Sequence, residues 1–127
     1  MRRTLTKIVL PLTACGLALG LQACTSAPAS ETKPEVSADA IILDVRTPEE
    51  YAAGHLDGAK LLDFNAGAVA EAIPNLDPDA EYLIYCRSGN RAGQAITLME
   101  QAGFPNLTNL GSLKQAARIT GLVITEQ

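Results

Sequence analysis

From Ala38 onward, short apolar runs alternate with stretches whose apolar residues recur at helical spacing. The run AIILDV, residues 40–45, is apolar and β-branched, which suits a buried strand. Thr47-Pro48-Glu49-Glu50 then sets a hydroxyl at a cap, a proline at the first helical position and a glutamate three residues after the cap. Such a box pairs two otherwise orphaned amides and predicts a helix that Gly54 ends. AKLLDF (59–64) predicts a second short strand, AGAVAEAI (66–73) a helix, and NLDPDA (75–80) a turn with Asp and Pro in turn positions. EYLIYC (81–86) is the clearest strand in the chain. In RAGQAITLMEQAG (91–103), Ala92, Ala95, Ile96 and Met99 share one helical face, and Gly103 is the stop. NLTNL (106–110) and SLKQAARI (112–119) add a strand and a helix.

This alternation predicts an α/β fold with a mainly parallel central sheet flanked by helices. In such sheets ligands bind just beyond the carboxyl ends of the strands. Cys86 closes the strand 81–86 and therefore stands at such an end.

The beginning of the chain follows another pattern. Arg2, Arg3 and Lys7 precede an apolar run from Ile8 to Leu21 that closes on small residues. Residues 1–23 thus have the build of a secretory signal, and the run is short for a stable bilayer span. Leu21-Gln22-Ala23-Cys24 resembles a bacterial lipobox, which would make Cys24 the acylated first residue of the mature chain. A plain signal peptide cut near Ala23 or Ala27 is the alternative. Residues 24–37, rich in Pro, Ser, Ala, Thr and Glu, read as a flexible tether to a single domain over 38–127. The protein is then expected to be exported to the bacterial cell envelope, held to a membrane by lipid at Cys24 and facing the periplasm or the outer surface.

Charge and cysteine usage narrow the chemistry. The chain carries a net charge of -4, and its leader is basic, so the folded part is more acidic still. That argues against a nucleic-acid partner. The three cysteines, Cys15, Cys24 and Cys86, form no CxxC pair and no Cys/His set, which disfavours a zinc site or a dithiol. No GxGxxG or P-loop is present, so neither a metal nor an organic cofactor is expected. With Cys15 removed and Cys24 lipidated, Cys86 is a lone thiol without a disulfide partner.

Cys86 opens the segment Arg87-Ser88-Gly89-Asn90-Arg91, which runs directly into a helix. The thiolate is the nucleophilic form of cysteine, and a free thiol of pKa about 8.5 is mostly protonated at neutral pH. A helix N-terminus offers unpaired amides and a favourable dipole to the anion. Gly89 lets the backbone curl around one point, while Arg87 and Arg91 add fixed positive charge with planar donors suited to a small oxyanion of sulfur or phosphorus. The one histidine, His55, reads as a turn residue bonded to backbone.

LDVRTPEEYAAGHLDGA (43–59) together with YCRSGNRAGQA (85–95) resembles the single-domain rhodaneses, and with its leader the chain is similar to the exported phage-shock group among them. The resemblance implies a small rhodanese-like domain with sulfurtransferase activity. Cys86 would take the outer sulfur of thiosulfate, release sulfite, hold a covalent persulfide in place of any cofactor, and pass the sulfur to a thiophilic acceptor such as cyanide. Backbone amides of residues 87 to 91 would bind the persulfide, and Arg87 and Arg91 the thiosulfate dianion. Asp44 and Arg46 would brace the loop, and the protein would act as a monomer. The C-terminal segment NLGSLKQAARITGL departs from the commoner family pattern of a glycine pair and a tryptophan.

Two rivals remain. A non-enzymatic, membrane-tethered persulfide carrier would use the same Cys86 chemistry. A Cdc25-like phosphatase or arsenate reductase would need a wider Cys-x5-Arg loop, whereas Arg91 gives Cys-x4-Arg. The lipid expectation has a direct check. In a lipoprotein-processing bacterium, Cys24→Ser should abolish incorporation of labelled fatty acid and move the protein from the membrane to the soluble fraction; unchanged labelling would remove the anchor from the account.

Overall fold

The computed structural model describes residues 36–127, so the leader, Cys15, Cys24 and most of the tether lie outside the described residues. Strand β1 (Ile41–Asp44) leads into helix α1 (Pro48–Ala52), and the two-residue strands β2 (His55–Leu56) and β3 (Lys60–Leu61) follow. Helix α2 (Ala68–Ala72) continues into a 3-10 turn before β4 (Tyr82–Cys86). Helix α3 (Asn90–Gln101), strand β5 (Leu107–Ser112), helix α4 (Leu113–Thr120) and strand β6 (Ile124–Thr125) complete the chain.

The central sheet has the order β3-β1-β4-β5, and every pairing in it is parallel. All five residues of β4 are buried, as a strand covered on both faces by helices requires. Their alternation divides the core. Tyr82, Ile84 and Cys86 join Leu43, Val45, Val69, Ala92, Ala95 and Met99 on one face. Leu83 and Tyr85 join Ile42, Leu56, Leu110 and Ala116 on the other. The thiol at the strand end is therefore turned toward α3.

The predicted α/β architecture is the observed one, and Thr47 and Glu50 form the expected capping box at α1. The departures are local. The strand expected over 59–64 is confined to Lys60–Leu61, because the Asp63 carboxylate turns the chain by accepting the amides of Asn65 and Ala66. The strand expected over 106–110 runs on to Ser112, with a register shift opposite Ile84 and Tyr85 that leaves Leu110 as the extra residue. Strand β2 pairs antiparallel with β6 in a separate ribbon that the sequence pattern does not announce, since two-residue strands show no periodicity.

A charged knot lies under the carboxyl ends of β1 and β4. Asp44 is fully buried and its carboxylate accepts the Arg46 backbone amide at 3.0 Å, Arg46 Nε at 2.9 Å, Arg46 Nη2 at 2.6 Å and the Tyr85 hydroxyl at 2.7 Å. Arg46 Nη2 also donates to the Gly54 carbonyl at 2.6 Å, and the Tyr85 hydroxyl accepts the Leu56 amide at 3.0 Å. The expected bracing role of Asp44 and Arg46 thus acts on residues 54–56 and on Tyr85; none of these bonds reaches residues 87–91. Burial pushes the Tyr85 phenol well above its ordinary pKa, and the adjacent Asp44 adds to the shift, so it is a neutral donor here.

Removing one member of a buried pair leaves the other charge uncompensated. Asp44→Ala should cost about 3–5 kcal/mol of stability, and Tyr85→Phe, which removes the bond to Asp44 and leaves the Leu56 amide without its acceptor, about 2–3 kcal/mol. Urea denaturation of both variants checks the order; a Tyr85→Phe loss equal to or above that of Asp44→Ala would contradict it.

Candidate active site

The sulfur of Cys86 sits where β4 ends and α3 begins. The turn Arg87-Ser88-Gly89 carries the chain between them, with Gly89 at φ 93° as the helix cap. Only glycine takes that conformation without strain. The Gly89 amide donates to Cys86 Sγ at 2.9 Å. Asn90 opens the helix, so the sulfur faces a helix N-terminus whose first turn contains no acidic residue. A dipole of this direction favours negative charge on the sulfur or on a group bonded to it. Cys86 itself is 1% exposed, whereas Arg87, Ser88 and Asn90 are exposed around it.

The two arginines behave differently. Arg91 is held by a bidentate pair with Glu50, Nη1 to Oε2 at 2.8 Å and Nη2 to Oε1 at 3.0 Å. This pairing raises the Arg91 pKa, and the nearby Cys86 sulfur adds a smaller attraction. Arg91 thus lies within electrostatic reach of the thiol, but its donor fork is occupied. Arg87 has no ion pair among the described residues. His55 donates from Nδ1 to the Tyr51 carbonyl at 2.8 Å and stacks on the Tyr51 ring with centroids 3.6 Å apart. It is a buried strand residue rather than a turn residue, and its backbone bond is as expected. The ring nitrogen of His55 is thus committed to backbone rather than to the sulfur.

A residue outside the motif completes the loop's support. Asn109 of β5 donates from Nδ2 to the Gly89 carbonyl at 3.0 Å and accepts the Gly111 amide on Oδ1 at 2.9 Å. A methyl group at Gly89 would come within 3.3 Å of Gly111 Cα, so the turn lies directly on the β5 bulge. Asn109 sits in a polar edge stretch with nothing in the sequence to set it apart. Glu50 was legible only as a cap.

A cleft of about 840 Å³ opens at the opposite edge of the sheet, at the start of β1, β4 and β5. Asp39, Asp77, Asp79 and Glu81 line it, and that charge repels the oxyanions a helix N-terminus attracts.

Comparison with known proteins agrees with this geometry. The family model for the rhodanese-like domain matches residues 29–116. The chain belongs to the rhodanese-like domain family. Within the family, it is 39% identical over 71 residues to the thiosulfate sulfurtransferase GlpE of Pseudomonas entomophila, a match covering 56% of this chain and 63% of that protein. It is 34% identical over 77 residues to the thiosulfate sulfurtransferase PspE of Escherichia coli, covering 59% and 72%. The chain spans less than two thirds of the length of the GlpE relatives. Among solved structures, a rhodanese with anions from E. coli superposes with a TM-score of 0.57 at 27% identity, covering 69% of this chain and 99% of that one. A rhodanese-like domain from Anabaena gives a TM-score of 0.61 at 25% identity, covering 72% and 68%.

The Glu50–Arg91 pair makes this rhodanese-like site acid-sensitive in a defined window. The Arg91 hydrogen bonds hold the Glu50 carboxyl down to about 2 from an ordinary value of 4.5. A depressed carboxyl contributes stability that is complete above its unfolded pKa and lost as the pH falls through its folded one. The stability difference between wild type and Glu50→Gln should therefore be constant above pH 4.5, shrink below it and vanish near pH 2. Denaturation midpoints along that series check it; a difference that persists at pH 2 would exclude the pair as its source.

Proposed function

We propose that the protein is a thiosulfate sulfurtransferase that works through a persulfide on Cys86. The observation that carries the reading is the Cys86 sulfur at the head of α3, receiving the Gly89 amide inside the sequence Cys-Arg-Ser-Gly-Asn-Arg of a rhodanese-like domain. The relatives named thiosulfate sulfurtransferase support it.

In the first half-reaction the Cys86 thiolate attacks the outer sulfur of thiosulfate. The new S–S bond forms as the old one breaks, and sulfite leaves with the bonding pair. The terminal sulfur of the persulfide carries the negative charge, which the amides of residues 87–91 and the α3 dipole stabilise. Arg87, exposed at the rim, attracts the thiosulfate dianion, and Arg91 contributes charge from its place on Glu50. In the second half-reaction a thiophilic acceptor, such as cyanide, attacks the terminal sulfur and the Cys86 thiolate leaves. No electron is exchanged with a third species, so the cycle needs neither metal nor organic cofactor.

Phosphate-ester chemistry fits less well. The Cys-x4-Arg loop is one residue short of the phosphatase spacing, and the arginine that would clasp a phosphate is committed to Glu50. We further propose a monomer anchored by lipid at Cys24 in the cell envelope. Residues 36–40 enter the sheet at the edge opposite Cys86, an arrangement that suits an enzyme tethered at one pole and open at the other.

Intact mass after incubation with thiosulfate tests the centre of this reading. Wild type should gain about 32 Da, one sulfur atom on an activated thiolate, and lose it again on addition of cyanide, while Cys86→Ser should gain nothing. A reduced wild type that takes up no sulfur would sink the proposal. Sulfur that loads but leaves only to a protein thiol would make the domain a carrier.

A further inference from the structure

The Gly89 amide donates to the Cys86 sulfur, and the peptide that joins Gly89 to Asn90 follows it directly in the turn. Its carbonyl accepts two hydrogen bonds, from the Gly93 amide at 3.0 Å as the first turn of α3 and from Asn109 Nδ2 at 3.0 Å. A trans peptide is planar, with its N–H antiparallel to its C=O. A donor that fixes the Gly89 carbonyl therefore also fixes the direction of the Asn90 amide, one of the unpaired amides at the helix N-terminus. The other face of the Asn109 amide holds the Gly111 N–H at 2.9 Å, at the bulge of β5. Gly111 is in turn confined, because a Cβ there would collide with the Gln115 side chain, which is fixed by its bond to the Ser112 amide. Asn109 thus links the β5 bulge to the Gly89 turn, and Gln115 of α4 crowds the same bulge at Gly111.

We infer that Asn109 is a positioning residue for the anion site: its carboxamide locks the Gly89–Asn90 peptide so that the loop amides stay directed at the Cys86 sulfur. Its two bonds run to backbone groups of two different elements, and a carboxamide, with its amino group and oxygen held in one plane, donates to one while it accepts from the other. The bond to Gly111 sets the bulge; the bond to Gly89 sets the cradle. Asn109 touches no reacting atom, and it acts through the amides it orients. Its effect on sulfur transfer rests on the function proposed above, whereas its effect on the thiol does not.

The test reads the thiol directly. Alkylation of Cys86 by iodoacetamide is measured at pH 7 and pH 10 in wild type, Asn109→Leu and Asn109→Asp, and the ratio of the two rates reports how well the cradle favours the anion. Leucine removes both bonds at similar volume; aspartate keeps the acceptor for Gly111 while losing the donor to Gly89, and its added negative charge is screened by running all three proteins in about 1 M salt. Thermal unfolding verifies that each variant folds, and the aspartate variant decides if the leucine variant does not. The ratio should fall about threefold or more in both, as loss of one ordinary hydrogen bond implies, and thiosulfate loading should slow in parallel. A ratio equal to wild type in either folded variant would overturn the inference, because a merely structural role would lower stability and leave the ratio alone. If wild type alkylates normally but takes up no sulfur, the sulfurtransferase reading falls and the alkylation comparison still decides the role of Asn109.

Discussion

The buried carboxylate of Asp44 is the constraint on which the active end of the sheet depends. Taking a carboxylate out of water is costly unless its lone pairs are filled, and here an amide, a guanidinium and a phenol fill them. Each donor fixes a different part of the chain. The Arg46 backbone amide turns the chain sharply after β1, its guanidinium reaches on to the Gly54 carbonyl, and Tyr85 ties down the Leu56 amide. Among the described residues no buried side-chain nitrogen or oxygen lacks a partner, so the knot is closed. A closed polar network tolerates one geometry, and this one specifies where β1, β2 and β4 end relative to one another.

That specification reaches the thiol through strand alternation. Tyr85 points into the knot, so its neighbour Cys86 must point to the opposite face, toward α3. The turn that follows has to reverse the chain within three residues and start a helix, which demands the positive φ of Gly89. The resulting cradle uses backbone amides and a helix dipole where many nucleophilic sites use a base. Fixed dipoles of this kind need no reorganisation when charge develops.

The charged side chains around the site divide their tasks in the same economical way. Glu50 closes the capping box of α1 and also holds Arg91 at the start of α3, so a single carboxylate joins the first crossover to the one that follows β4. Arg87 is exposed and forms no ion pair among the described residues. The acidic cleft at the N-terminal ends of the strands gives the domain an electrostatic polarity along them.

Much of this was legible in the sequence, and the physical reason is that the legible parts are local. Strands β1 and β4, the capping box of α1, helix α3 and the order Cys-Arg-Ser-Gly-Asn-Arg each declare themselves within a few residues, through periodicity, turn chemistry or the coincidence of a thiol with a helix start. The α/β class, the parallel sheet and Cys86 at a strand end follow from them. Contacts between residues far apart in the chain left no such mark. Glu50 meets Arg91 and Asp44 meets Tyr85 across 41 residues, and Asn109 reaches Gly89 across 20. Antiparallel pairing of β2 with β6 is likewise decided only when the chain is compact. The sequence by itself determined the main elements and put Cys86 at a strand end beside a helix start. Tertiary structure alone decided which charges the arginines would satisfy and which side chain would steady the loop, because a hydrogen bond between distant residues depends on where the fold has already brought their backbones.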